Sequence, residues 1–118
     1  MTRAAPAYLE RRTEERRDIH APARLFSGPK LAMWADCTIR NLSSSGARIE
    51  LPKIHVCPPR FVLLHLKAGV AYEAVLKWRR GDMAGMAFEA THELATCEIA
   101  RLAGVREQWQ ALRAGFGG

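Results

Sequence analysis

Three cysteines, Cys37, Cys57 and Cys97, are all that the 118 residues contain, and no two fall at Cys-x-x-Cys spacing. That odd, scattered set argues against a disulfide framework and a zinc knuckle and fits a reducing compartment, the cytoplasm. Also missing is any apolar run long enough to span a bilayer, and the opening residues "MTRAAPAYLERRTEERR" lack the apolar centre of a secretory signal. A soluble protein is expected, touching membranes only through a partner. There is no P-loop, no G-x-G-x-x-G, and no G-x-S-x-G elbow around Ser43, Ser44 and Ser45. The four histidines, His20, His55, His65 and His92, are dispersed without metal-ligand spacing. Catalysis is therefore the weaker class, and neither a metal nor a cofactor is expected.

What is present is an ordinary globular composition, 48% hydrophobic and 25% charged, in a chain of about one domain. Lysine and arginine number 18 against 12 acidic residues, a net charge of +6 that favours anionic partners without naming one. Residues 1–18 hold charges of both signs, few large apolar side chains and Pro6, the texture of an arm that is mobile in isolation.

From Ile19 the chain breaks into short apolar runs punctuated by glycine and proline, an all-β rhythm. Ala47, Ile49 and Leu51 alternate with Arg48 and Glu50, as in a half-buried strand, whereas residues 61–66 are apolar on both faces and predict a covered strand. Gly69 and Gly81 suit hairpin connections, so residues 61–88 read as a three-stranded meander. About six such strands hide their edges best by closing into a small antiparallel barrel over residues 19–90. Beyond it, Leu102, Val105, Trp109 and Leu112 recur at helical spacing, which predicts a C-terminal helix within residues 91–118. Thr91 is the candidate N-cap, and Gly104 a candidate kink. The apolar stripe could cap the barrel or pair with a second copy, giving a homodimer.

Two local features stand out. "RRTEERR" concentrates Arg11, Arg12, Arg16 and Arg17, and arginine forks suit phosphates and the guanine edge. "RNLSSSGARIEL" offers Asn41, Ser43 and Gly46, an amide, a small hydroxyl and a glycine that permits positive φ and close backbone approach. In order, Arg12-x-x-x-Arg16 and Asn41-x-Ser43-x-x-Gly46 resemble the paired signature of the PilZ domain, a bacterial receptor module for cyclic di-GMP. The flanking "IHAPARL" and "VLKWRRGDMAGMAFE" resemble that family's strands, so the likeness covers about residues 11–89.

The resemblance implies a six-stranded antiparallel barrel whose arginine arm folds over cyclic di-GMP held on the barrel surface. Arg12 and Arg16 would contact guanine and phosphate, and Asn41, Ser43 and Gly46 would meet the nucleotide from the barrel side. Arg11, directly before the first motif arginine, implies two intercalated ligand molecules, with Arg17 and Arg48 as further candidates for their phosphates. Trp78 matches a place where the family often carries a large side chain near the ligand, though a packing role explains it equally. Arg79 and Arg80 read as solvated hairpin residues, and Trp34 and Trp109 as packing residues. The expected function is a non-enzymatic sensor or adaptor that relays ligand binding to a protein partner. The alternatives are a basic barrel for single-stranded nucleic acid, which the scattered aromatics disfavour, and a PilZ-like interaction module without ligand.

Overall fold

The computed structural model describes residues 16–116. Its elements are β1 (Arg17–Ser27), a 3-10 turn (Pro29–Leu31), β2 (Met33–Leu42), β3 (Gly46–Glu50), β4 (Arg60–His65), β5 (Val70–Arg80), β6 (Met83–Glu93), a second 3-10 turn (Ala100–Leu102) and α1 (Ala103–Phe116). The strands close into a ring in the order β1-β2-β3-β6-β5-β4, every neighbouring pair antiparallel. Closure leaves no unpaired edge, which is how a sheet built from such short strands avoids exposing backbone donors and acceptors.

The expected β4-β5-β6 meander forms, and both hairpin glycines sit at positive φ, Gly69 at 67° and Gly81 at 57°. At Gly69 the need is double, because a Cβ there would also stand 2.7 Å from Cζ2 of Trp109. No side chain fits that turn without displacing the indole.

Two apolar clusters hold the fold. The first fills the ring with inward residues such as Leu25, Ile39, Ile49, Phe61 and Leu63. The second lies outside the wall made by β1, β4 and β5, where Phe26, Val62 and Leu64 meet Leu102, Val105 and Trp109. Alternate residues of β4 serve the two clusters, which explains its two-faced apolar sequence. Each of these buried side chains contributes about 1.5–3 kcal/mol. The stripe of α1 thus packs on the chain's own sheet, along the wall rather than over an opening.

The element boundaries shift from those expected. Arg17 and Asp18 already belong to β1, paired with Leu42 and Asn41. Thr91 is not an N-cap: β6 continues through it to Glu93, pairing Thr91 with Tyr72, and the helix begins at Ala103. Ladder pairing with a strand nineteen residues away overrode the local capping signal. Gly104 stands in the first turn of α1 with open space around it. Among the described residues no helix is long and apolar enough to cross a membrane.

Candidate functional site

Register alone assembles a row across five strands. Asp18 on β1 faces Asn41 on β2, Asn41 faces Arg48 on β3, Arg48 faces Gly85 on β6, and Gly85 faces Trp78 on β5. Directly opposed residues of antiparallel strands project to one side of the sheet, here the outside. A groove of about 410 Å³ runs over this row from Asn41 to Trp78, lined by Arg16, Asn41, Ser45, Gly46, Arg48, Lys77 and Trp78, together with Gly85, Met86, Ala87 and Ala47.

Two β-bulges are needed to make the row. Ile39 is fully buried in the ring and pairs with Ile49, yet Asn41, two residues on, pairs with Arg48 and turns outward. Leu76 packs on the same interior and pairs with Met86, yet Trp78 pairs with Gly85 and turns outward. In a regular strand, residues two apart share a face; the extra residue in each strand reverses that parity. The bulges therefore aim Asn41 and Trp78 into the groove from opposite sides.

The structure brings Arg16, Asn41, Gly46, Arg48 and Trp78 together, five of the residues singled out in the sequence. Arg11 and Arg12 lie outside the described residues. Arg17 lines a different depression, beside Leu42, Tyr72 and Thr91. Ser43 does not line the groove. It is 6% exposed; its hydroxyl donates to the Gly46 carbonyl at 3.3 Å and accepts from the Ser45 amide at 3.3 Å, while its own amide reaches the Gly46 carbonyl at 2.9 Å. Ser43 thus folds the turn, and Ser45, at a position the motif leaves open, faces the groove instead.

Gly46 proves necessary for a reason other than positive φ, since its backbone does not enter that region. A Cβ at this position would run into the carbonyl oxygen of Met86 on β6. Asn41 donates from Nδ2 to Oδ1 of Asp18 at 2.9 Å. Trp78 remains 42% exposed. Its indole lies on Gly85, where a Cβ would overlap the ring.

Lys77 and Ser45 are the lining residues that pattern reasoning missed, and no local signal marks either. Arg79 is not the solvated hairpin residue that its place in the sequence suggests. Its Nη2 donates to the carbonyls of Leu51, Pro52 and His55 at 3.0, 3.2 and 3.3 Å, tying down the β3–β4 loop.

Four arginines away from the groove pair with carboxylates: Arg24 with Asp36 and Arg40 with Glu50, both at 2.8 Å, Arg60 with Glu89, and Arg101 with Glu73 at 2.7 Å, while Arg79 and Arg106 donate to backbone carbonyls. The groove is lined by Arg16, Arg48 and Lys77 and by no carboxylate. Three cations, an amide, a hydroxyl and an exposed indole face suit an anionic ligand with planar rings.

Other aromatics are occupied elsewhere. Tyr72 and Phe88 stack with centroids 4.0 Å apart, the Arg24 guanidinium lies over one face of Trp34 at 3.7 Å from its centroid while that indole stays 49% exposed, and Trp109, on α1, is buried against the sheet. Burial, reinforced by the charge of Asp36, pushes the Cys37 thiol up to about 12, so it is no thiolate nucleophile at neutral pH. Among the described residues no group of three or more His, Cys, Asp and Glu side chains is placed to hold a metal ion.

No curated protein matches the chain. The family profile of the PilZ domain matches residues 10–103, spanning all six strands and every residue that lines the groove, and the chain therefore belongs to the PilZ domain family.

Proposed function

We propose that this PilZ domain is a cyclic di-GMP-binding sensor or adaptor whose ligand lies in the groove across β2, β3, β6 and β5. The observation that carries the proposal is the lining itself, with Arg16, Arg48 and Lys77 beside Asn41 and Trp78 and no carboxylate among them. The cations answer the phosphates, Asn41 and Ser45 can donate to or accept from guanine, and the indole offers an apolar face to a base.

Arg11 and Arg12 join Arg16 as the arm closes over the nucleotide, and Arg11 favours an intercalated pair of ligands. Closure changes the surface offered to a protein partner, an order-disorder switch driven by ligand affinity for the closed state. The chain acts in the cytoplasm and by binding rather than catalysis. Single-stranded nucleic acid gains no support, since it needs a row of free aromatic platforms, and here Tyr72 and Phe88 stack on each other while Arg24 occupies one face of Trp34, which lies outside the groove.

Calorimetric titration with cyclic di-GMP tests the proposal and reads out one or two ligands per chain. Replacing Arg12 or Arg16 by Ala should weaken binding by about 10- to 150-fold, the worth of a charge-assisted contact of about 1.5–3 kcal/mol. No heat with wild-type protein at high micromolar ligand would sink the proposal.

A further inference from the structure

The β5 bulge does more than turn Trp78 outward. Between the pairs Leu76–Met86 and Trp78–Gly85 it leaves Lys77 with no residue opposite. Neighbouring residues of a regular strand point to opposite faces, but Lys77 and Trp78 are both exposed and both line the groove. One irregularity thereby sets an ammonium beside an indole. Arg24, Arg40, Arg60 and Arg101 each have a carboxylate partner, whereas Lys77 makes no ion pair with any described residue. Among the described residues none supplies an anion to meet its charge.

Across the ladder, Gly85 is the seat of the indole. A Cβ there would overlap Nε1 and Cε2 of Trp78 and stand 2.8 Å from Cδ1. The indole can occupy this place against the sheet only because residue 85 has no side chain.

We propose that Lys77 is a phosphate-binding residue of this groove and that Gly85 is a positioning residue whose missing side chain seats Trp78 beside the groove as the platform for a base. This assignment rests on the nucleotide-binding function proposed above. It makes the Lys77–Trp78 side of the site a product of the bulge and its glycine partner, outside both motif segments.

Calorimetry with cyclic di-GMP at low and high salt tests it. Lys77→Ala should weaken binding about tenfold at low salt and less at high salt, as expected for loss of one charged contact, while Lys77→Arg should stay within about threefold of wild type. Gly85→Ala should weaken binding about tenfold when Trp78 is present and less than about twofold in a Trp78→Ala background, because its effect runs through the indole. Removing the indole also makes room for the new methyl group. The double variant should therefore unfold at a higher temperature than Gly85→Ala alone, a readout that survives even if the single variant folds poorly.

If wild-type protein binds and Lys77→Ala matches it at low salt, the phosphate role is wrong. Equal losses from Gly85→Ala with and without Trp78, and no thermal rescue in the double variant, would overturn the seating role. Absence of wild-type binding would instead refute the nucleotide-binding function itself, so the two failures are distinguishable.

Discussion

Asn41 and Asp18 face each other across the β1–β2 ladder, with the Asn41 amide donating to the Asp18 carboxylate at 2.9 Å. The bond fixes the rotation of the Asn41 side chain and leaves its carbonyl oxygen for a ligand. Asp18 is exposed, so its replacement should change stability by no more than about 0.5 kcal/mol. Affinity should respond more. Asp18→Ala frees the amide to rotate and should weaken cyclic di-GMP binding about threefold, a modest share of one hydrogen bond. Asp18→Asn keeps an acceptor and removes a negative charge near the phosphates, so it should bind at least as tightly as wild type. Calorimetry on the two variants checks the ordering.

Gly46 lies on the β3–β6 ladder opposite Ala87. An added methyl would push against the Met86 carbonyl, a backbone group that cannot swing aside as a side chain would. Gly46→Ala should therefore destabilise the fold by about 1–3 kcal/mol, as overpacking does in a closed core. Urea unfolding followed by circular dichroism measures this, and a midpoint equal to wild type would contradict it.

Arg79 holds the carbonyls of Leu51, Pro52 and His55 through one nitrogen and that of Gly81 through Nε at 3.1 Å. Arg79→Ala leaves the β3–β4 loop without these ties. Amide exchange across residues 52–57 should accelerate, with a stability loss of about 1–3 kcal/mol for the orphaned groups. Arg79→Lys should recover little, because a single ammonium cannot span the same carbonyls. Unaltered exchange in Arg79→Ala would show that the loop holds itself.

Glu73 accepts from His92 Nε2 and from Arg101 Nη2, both at 2.7 Å, linking β5, β6 and the turn before α1. The His92 hydrogen bond above all, with Arg101 behind it, holds the Glu73 carboxyl below its ordinary value of 4.5, against an opposing push from desolvation. Because the folded protein binds this proton less readily than the unfolded chain, the ionised carboxylate stabilises the fold above the ordinary carboxylate range. That contribution fades as pH falls through the lowered folded value. Wild type should melt above Glu73→Gln at pH 7, and the gap should close toward pH 3. A gap independent of pH would assign the effect to something other than ionisation.

Much of the fold follows from short-range pattern. The alternation in residues 47–51, the two-sided apolar run at 61–66 and the glycines at 69 and 81 report on neighbours within a few residues, so strands and hairpins are legible there. The same holds for the apolar stripe of α1 and for the paired motif that points to the PilZ family. Helix onset was less legible, since the strand character of Thr91 comes from Tyr72 across the ladder.

The groove required the whole sheet. Asn41, Arg48, Gly85 and Trp78 become one row only when three ladders set their registers, and register is a long-range property that slips by a full face with each extra residue. Simple alternation would place Asn41 with Ile39 and Trp78 with Leu76, facing inward. Two bulges reverse both, and nothing in the adjacent residues announces them. For the same reason Ser43 and Ser45 exchange the roles their spacing suggested, and Lys77 enters the site unannounced. Residue chemistry set which groups were available to meet a ligand; pairing between distant strands set which of them face it.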